Sequence, residues 1–595
     1  MTDSKHVTRS NGNSRRRRRV LVSAAGAIAI VVAGLALYAY LQLSSARDDV
    51  DAARANAREL QTALESGDQA AAERSLSSLQ HSIGDADSTV GGAIFSVAAK
   101  LPVLGKNVDA VRTVTSSLSQ VADTGLPPLV AIADQFNGKT FNPVGGAINV
   151  DAIAAIGPNV TEAADVIGKA SAEIDAVDAS TLVGSLRDPV VDLQDQLGHA
   201  AEVAQRASIA SEVAPKMLSG KHTYLLMFQN NAEIRATGGL PGAYAVLTVD
   251  NGSIKLGQQG TGSSFPEQSE PVVPLTDEEE GLFDTKLGTF FLDTNFTPDF
   301  PRTAEIASTF LKKVKGIDVD GVMSVDPVAL SYVLEGLGPI TLEDDSTLSS
   351  SNAVDVLLNG VYVTYADPDT QDAYFASATQ KIFDKVLAGA GDPTAVLKAL
   401  TRATDERRVQ LWTKDADISA ALDGTPLAAQ LPVGKAAEST LGVYLNDATG
   451  AKMQYYLDYD VDARATKCSD AGAQTYETVT TLKSNAPADS ANLPESIRGP
   501  GFGAPPGAMF VNTYVYAPDG GKVTELTIDG EKTFSFPGSQ SGRGVEFVTV
   551  QLDPGQTVTV EATVVSGDGQ RGTSRVLATP GVAPGSKGST VKSAC

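Results

Sequence analysis

Two polar segments carry the residues whose types and spacing could do chemistry. The first reads NNAEIR over residues 230–235 and is followed by Gly238 and Gly239. Arg235 could grip a phosphate or carboxylate with two parallel hydrogen bonds, with Asn230 and Asn231 as further donors. The two glycines would let a backbone approach closely. The structural alternative is that the asparagines cap turns and Arg235 pairs with Glu233.

The second segment reads DTNFTPDFPR over residues 293–302. Asp293 and Asp299 could bind a hard cation such as Mg²⁺. Arg302 stands at the start of a predicted helix, where anions are favoured. The structural alternative pairs Arg302 with Asp299. Two further residues, Asn295 and Arg407, complete the candidate ligand-binding set.

Familiar catalytic patterns do not occur. The four histidines are His6, His81, His199 and His222, and they form neither an HExxH motif nor a zinc-ligand pair. There is no GxSxG elbow and no Walker loop, and neither cysteine stands as a nucleophile with a histidine. The sequence therefore identifies no catalytic residue, and hydrolase and NTPase functions are poorly supported.

Both polar segments belong to a region of alternating strands and helices. Strands are predicted at 223–229, 242–249, from 253 onward and at 319–325, and helices at 301–315, 327–337, 351–365, 369–390 and 393–407. This order is typical of a layered α/β domain, here 220–435, in which ligand sites lie at strand ends.

The flanking regions differ from the α/β region in hydrophobic periodicity and composition. Residues 46–219 show apolar positions at helical spacing and predict a helical stalk or bundle. Residues 440–577 contain evenly spaced strand patterns and predict a β-sandwich. One of these patterns alternates from Met453 to Val461. Residues 578–595 are rich in Gly, Pro and Ser and predict a flexible tail, unless a disulfide holds it.

The N-terminus predicts a single membrane anchor. Residues 1–19 include five consecutive arginines, Arg15 to Arg19, and residues 20–43 are apolar and uncharged, which is long enough to span a bilayer. The arginines favour a cytoplasmic N-terminus and an extracytoplasmic bulk. A cleaved signal peptide is the alternative, although its apolar core would normally be shorter.

The net charge and the two cysteines also suit a location outside the cytoplasm. The net charge is −24 although the first 45 residues are basic, so the remainder is strongly acidic and suits neither nucleic acid nor anionic lipid. The two cysteines, Cys468 and Cys595, could form a disulfide outside the membrane. The alternative is two idle thiols.

Several long runs resemble one family. They are YLLMFQNNAEIRATGGLPGAYAVLTVDNG, TPDFPRTAEIASTFLKK, GVMSVDPVALSYVLEGLGPI and GVYLNDATGAKMQYYLDYDV, spread over Gly220 to Asp460. They are similar to the family catalogued as domain of unknown function 4012, a group of actinobacterial envelope proteins of undefined function. The resemblance implies a cell-envelope protein.

More remotely, the α/β part resembles the LytR-CpsA-Psr phosphotransferases, which move glycopolymers from a polyprenyl pyrophosphate carrier to peptidoglycan. The similarity lies in the opening strand, the Arg soon after it, and residues 316–340. That family carries an Arg-Asp pair after its third strand, whereas residues 257–262 here read GQQGTG. Residues 237–239, Thr-Gly-Gly, replace its Ser-Asp-Thr-like element, so transfer would depend on Arg235, Arg302 and Arg407-Arg408.

Three functions remain open at this point. The first is non-catalytic binding of an envelope glycopolymer or a polyprenyl-pyrophosphate-linked precursor. The second is phosphotransfer of such a glycopolymer to the cell wall, with Mg²⁺ as a possible cofactor. The third is a structural or assembly scaffold for other envelope proteins. Convergence of Arg235, Arg302 and Arg407 in one cleft would favour the first two over the third.

Overall fold

The computed structural model describes residues 56, 58–64, 68–91, 105–136, 143, 146–435, 440–585 and 588–595. These residues belong to two compact units. One runs to Asn142 and resumes over Ile148–Met217, and the other comprises Pro143–Ala147 and Leu218–Cys595. The predicted basic tail and membrane anchor, residues 1–43, lie outside the described residues. Within the described residues no helix is both long enough and apolar enough to cross a membrane.

The first unit is mostly helical in its described part. Its helices are α1 (Gln69–Gly91), α2 (Gly105–Gln120), α3 (Leu126–Ala131), α4 (Val150–Asp175) and α5 (Gly184–Leu218). A π-helical turn, Val121–Gly125, joins α2 to α3. Leu79, Val114 and Leu193 are fully buried, because each helix turns one apolar face toward the others.

A five-stranded mixed sheet forms the centre of the second unit, in the order β3-β2-β1-β4-β7. Its strands are β1 (Lys221–Arg235), β2 (Gly238–Asp250), β3 (Ser253–Thr261), β4 (Gly321–Val325) and β7 (Val409–Thr413), and β5 (Ile340–Thr341) pairs with β6 (Thr347–Leu348) beside it. β1 is antiparallel to β2 and parallel to β4. Because β1 is central and covered on both faces, its second half is buried continuously instead of alternately.

Helices surround this sheet. They are α6 (Asp277–Phe283), α7 (Lys286–Thr289), α8 (Phe300–Lys315), α9 (Pro327–Leu337), α10 (Ala353–Asp355), α11 (Val361–Thr364), α12 (Pro368–Leu387), α13 (Pro393–Asp405) and α14 (Ala416–Leu422). The predicted helix at 327–337 is confirmed. Asp326 caps it by accepting a hydrogen bond from the Ala329 N–H at 2.7 Å, and Pro327 occupies the first helical position.

The remaining strands form two sheets that share one apolar core. They are β8 (Thr440–Asp447), β9 (Leu457–Cys468), β10 (Gln474–Ser484), β11 (Met509–Tyr516), β12 (Lys522–Ile528), β13 (Glu531–Lys532), β14 (Phe536–Gln540), β15 (Arg543–Leu552), β16 (Thr557–Val565), β17 (Ser574–Ala578) and β18 (Ser589–Val591), with the short helix α15 (Glu495–Arg498). The sheet orders are β13-β12-β16-β10-β9 and β14-β15-β11-β8-β17-β18. Val443 and Val548 from one sheet meet Val461 and Val560 from the other, as in a sandwich.

The strand predicted from Met453 begins later than the sequence pattern suggests. Residues Lys452–Tyr456 form a 3₁₀ helix, and β9 starts at Leu457. In this turn the Gln454 side chain reaches the carboxylate of Asp447 at 2.5 Å. A tertiary hydrogen bond therefore overrides the alternating pattern over these five residues.

The α/β part and the sandwich belong to the same compact unit. Tyr444, Tyr514 and Tyr516 project from the six-stranded sheet into a core that also contains Phe283 and Phe300 of the helices. The outer face of one sandwich sheet is therefore partly covered by the α/β part. Regions 220–435 and 440–577, predicted as successive domains, are thus packed together.

The last residues of the chain are held against this unit. β18 pairs with β17, which runs parallel to β8. The predicted disulfide is confirmed, since Cys468 and Cys595 are bonded with an S–S distance of 2.07 Å. Residues 578–595 were predicted to be flexible unless a disulfide holds them, and this disulfide is present.

The disulfide should contribute measurably to stability, because it joins residues 127 positions apart. We expect Cys468→Ser to lower the free energy of unfolding by about 2–5 kcal/mol, as loss of a cross-link around a long loop does. Urea denaturation of the oxidised protein and the variant measures this. Cys595→Ser and reduced wild-type protein should lose the same amount, since each lacks the same bond. Unequal losses would contradict the assignment.

Candidate functional site

The first polar segment lies at the end of β1, inside the protein. Regular pairing with β2 is interrupted between Asn230 and Ile234, so residues 231–233 bulge from the ladder. A Cβ on Gly239 would lie 2.3 Å from the Asn230 carbonyl carbon. The predicted close approach at the glycines is therefore real, but the approaching backbone belongs to this chain.

Arg235 is the centre of a buried ionic cluster. Its Nη2 donates to Glu233 Oε1 and to Asp293 Oδ1, both at 3.1 Å. Its Nη1 donates to the Ile234 carbonyl and lies 3.9 Å from Asp447 Oδ2. The side chain is 5 % exposed. The predicted alternative, a pair with Glu233, is therefore present, and two more carboxylates share the charge.

The cluster holds more negative than positive groups. Lys452 Nζ lies 3.8 Å from Glu233 Oε2, so two cations face the three carboxylates of Glu233, Asp293 and Asp447. The pKa of Asp447 is raised to about 6, chiefly by burial and secondly by Glu233, while Arg235 opposes the shift. Burial likewise raises the pKa of Asp293. Near pH 6 the cluster can therefore hold a proton in place of the missing cation.

The three candidate asparagines make internal hydrogen bonds. Asn230 Nδ2 donates to the Tyr362 hydroxyl at 2.7 Å. Asn231 Nδ2 donates to Asp326 Oδ2 at 3.1 Å, and Asn295 Nδ2 donates to the Gly239 carbonyl at 2.7 Å. Each amide thereby joins segments that are distant in sequence, which is a structural task.

Asp299 and Arg302 are three positions apart in sequence but have different partners. Asp299 Oδ1 accepts the Leu431 N–H at 3.0 Å. Arg302 Nε donates to Glu279 Oε1 at 2.7 Å, and its Nη1 donates to Glu305 Oε2 at 2.7 Å. The predicted alternative pair, Arg302 with Asp299, is replaced by these two carboxylates. Burial raises the pKa of Asp299 to about 6, because desolvation outweighs the Leu431 N–H and the nearby Arg302.

Arg407 and Arg408 point to different partners. Arg407 Nη2 donates to the Gln430 carbonyl at 3.1 Å. Arg408 is fully buried, and it donates to Asp326 Oδ2 at 2.8 Å and to Glu406 Oε2 at 2.7 Å. It also donates to two backbone carbonyls of the last segment, Gly581 and Ala583, each at 2.8 Å.

The predicted arginines are bound to different partners, although Asp299 interacts electrostatically with both Arg302 and Arg407. Arg235, Arg302 and Arg407 have no common hydrogen-bond partner among those described above. Two surface cavities, of about 430 and 760 Å³, lie in the helical unit, and none of the eight candidate residues lines either one. The sequence missed Asp326 and Glu406 as partners of Arg408. The Asp326-Pro327 sequence predicts a helix cap, but it does not predict that Asp326 also pairs with Arg408.

The candidate Mg²⁺ ligands do not fit a metal. Asp293 faces the Arg235 guanidinium, whose charge would repel a cation, and Asp299 accepts a backbone N–H. Within the described ranges, no group of three or more His, Cys, Asp or Glu side chains could hold a metal ion.

Removing Arg235 should destabilise the protein strongly. Arg235→Ala would leave three buried carboxylates without their main counter-charge, so we expect the free energy of unfolding to fall by about 3–5 kcal/mol. Chemical denaturation measures the loss. As a matched control, Arg464→Ala removes an exposed pair with Glu477 and should change stability by less than about 1 kcal/mol. If Arg235→Ala is as stable as wild type, Arg235 is not a structural ion-pair residue, and a ligand-binding role for it becomes the better explanation.

Asp299 should make stability depend on pH. Its folded pKa of about 6 lies above the ordinary 3.8, so its contribution is complete below about pH 4 and is lost as the pH rises through about 6. Asp299→Asn keeps an oxygen for the Leu431 N–H but cannot titrate. We expect the variant to show a smaller fall in unfolding free energy between about pH 4 and pH 7 than wild type. Equal falls, measured by urea denaturation at several pH values, would contradict this assignment.

Comparison with known proteins bears on the region that contains β1 to β6 and helices α6 to α11. No curated protein matches the chain. A family model does match residues 219–362, which include nearly all the candidate residues and end within α11. The resemblance predicted from the sequence is thereby confirmed over this range, in which residues 219–362 match the model of the family described as Protein of unknown function (DUF4012).

Proposed function

We propose that this chain is a non-catalytic structural or assembly scaffold of a bacterial cell envelope, anchored in the membrane with its bulk outside the cytoplasm. One observation carries the proposal. The polar residues that the sequence marks for ligand binding are engaged with other parts of the same chain. They hold the α/β part, the sandwich and the last residues together.

Energetics favour this role over pyrophosphate binding at Arg235. An incoming anion would have to displace Glu233 and Asp293 from a guanidinium that is 5 % exposed. Those carboxylates would then be buried without their partner, at a cost of several kcal/mol each. Arg302 is similarly committed to Glu279 and Glu305.

Export rests on the sequence and on the disulfide. The run Arg15–Arg19 followed by the apolar residues 20–43 is typical of an uncleaved anchor with its N-terminus in the cytoplasm. A disulfide between Cys468 and Cys595 suits an oxidising compartment. The long β-rich part would then present its surfaces to other envelope components.

Phosphotransfer remains the competing function, by the remote resemblance to the LytR-CpsA-Psr enzymes. It would require Arg235, Arg302 or Arg407 to leave its present partner and face a pyrophosphate.

A binding and turnover assay distinguishes the two functions. Full-length protein in a neutral detergent is titrated with polyprenyl pyrophosphate and its glycan-loaded form, with and without Mg²⁺, and phosphate-containing products are followed. We expect no Mg²⁺-dependent saturable binding and no turnover. Mg²⁺-dependent binding or transfer that is lost in Arg302→Lys, but retained in Arg464→Lys, would contradict the scaffold role, provided that both variants keep the wild-type melting temperature.

A scaffold should also contact other proteins in the cell. Leu397 on α13 is 59 % exposed, which makes it a suitable position for a photo-crosslinking amino acid. We expect discrete protein adducts in the native host after irradiation. A crosslinker at the exposed Asp462 of β9 provides a polar control position. The absence of protein adducts at both positions would count against an assembly role.

A further inference from the structure

One face of the six-stranded sheet carries a row of aromatic rings that runs from the core into solvent. Strand register places Tyr514, Phe547 and Phe536 side by side on β11, β15 and β14. Tyr514 and Phe547 stack with centroids 4.6 Å apart, and Phe547 and Phe536 stack at 4.9 Å. Phe534 meets Phe536 edge to face at 4.9 Å. The row therefore continues a buried aromatic cluster beyond the edge of the sheet.

The outer end of this row is open to water. Phe534 is 76 % exposed and Phe536 is 45 % exposed. Exposed apolar area costs roughly 25 cal/mol per Å² compared with burial, so two adjacent exposed rings are unfavourable in the isolated molecule. Contiguous exposed apolar patches commonly mark interaction sites.

Neutral polar groups lie beside the rings on the same face. Register pairs Asn512 with Thr549 across β11 and β15, and Gln551 follows two positions later on β15. The Thr549 hydroxyl donates to Asn512 Oδ1 at 2.6 Å. Together Phe534, Phe536, Phe547, Asn512, Thr549 and Gln551 form what we call the aromatic face.

We propose that the aromatic face binds a neutral polysaccharide. Sugar rings present apolar C–H surfaces that stack on aromatic rings, and hydroxyl groups that hydrogen-bond to amides and hydroxyls. The aromatic face offers both kinds of group and no ionisable side chain. Binding at this face involves the sandwich alone and does not require the scaffold role.

Charge selects against a polyanionic partner. Acidic side chains border the aromatic face: Glu546 accepts a hydrogen bond from Ser535, and Asp553 accepts one from Gln551. The whole chain carries a net charge of −24. A nucleic acid or a phosphate-rich polymer would therefore be repelled, whereas an uncharged polymer would not.

The edge of β14 is poorly suited to pairing with a strand of another protein. Pro537 lacks an N–H group for a further ladder. At the far end of the strand, Glu278 of α6 accepts hydrogen bonds from the Ser539 hydroxyl at 2.6 Å and the Ser541 N–H at 3.0 Å. The available surface is therefore the face of the sheet, where a polysaccharide chain can lie across the strands.

Affinity electrophoresis tests the proposal. Full-length protein in a neutral detergent is run in native gels containing dextran, mannan or arabinogalactan, with dextran sulfate as the charged comparison. We expect at least one neutral polymer to retard the protein and dextran sulfate not to do so. Phe534→Ala should weaken the retarding interaction about tenfold or more, as loss of a stacking platform does. The Phe534→Ala/Phe536→Ala double variant should abolish it.

Phe502→Ala is the matched control, since Phe502 is 71 % exposed but lies in the loop after α15. It should leave retardation unchanged, and melting temperatures should show that Phe534→Ala folds normally. No retardation by any neutral polymer would overturn the proposal, as would retardation that survives the double variant.

Two other occupants give distinct results. Self-association that is lost in Phe534→Ala, seen by sedimentation without polysaccharide, would make the aromatic face a contact between copies of this chain. Phosphatidylcholine can also be added to the wild-type protein as a competitor of the polysaccharide. Competition would make the aromatic face a lipid contact. Either result would overturn the proposal. Neither depends on pyrophosphate turnover, which tests the scaffold role alone.

Discussion

The architecture of the larger unit depends on one buried guanidinium. Arg235 stands at the end of the central strand, and its charge is shared by carboxylates from three separate segments. Glu233 lies on β1, Asp293 lies before α8, and Asp447 ends β8 of the sandwich. A buried charge is tolerated only with its partners in place, so these segments must assemble together. The ion cluster thereby couples the α/β sheet to the sandwich.

A second buried guanidinium extends the same principle to the last residues. Arg408 joins Asp326 at the start of α9 to the carbonyls of Gly581 and Ala583. The disulfide at Cys595 holds the same segment farther along. Arg235 and Arg408 are thus both buried and bound to partners within the chain, whereas the aromatic face, which is neutral, lies outside. An exposed aromatic surface is therefore a better candidate for a partner site than these buried arginines.

Local pattern explains which parts of the fold could be predicted. The helix at 327–337 has the predicted bounds, because its periodicity and its N-terminal Asp-Pro signal agree with its burial. β8 was missed because all eight of its residues are buried, so it shows no alternation. β14 was missed because its residues FPGSQ include proline and glycine, and only its pairing with β15 makes it a strand.

The candidate site could be located from sequence, but its role could not. NNAEIR and DTNFTPDFPR do come together, through the contact between Arg235 and Asp293. Sequence alone gives no measure of burial, however, and an arginine beside asparagines and aspartates fits a ligand site and an internal ion cluster equally well. Asp447 could not be predicted as a partner, because it lies 212 positions from Arg235 along the chain and reaches it only through the packing of the two parts.

The central claim is that the Arg235 cluster is a structural junction, and a double-mutant cycle tests it most directly. Unfolding free energies are measured for wild type, Arg235→Met, Asp293→Asn and the double variant. We expect the double variant to be more stable than the sum of the single losses implies, with a coupling energy of about 1–3 kcal/mol. Losses that add to within about 0.5 kcal/mol would show that the two side chains do not depend on each other, and would contradict the account.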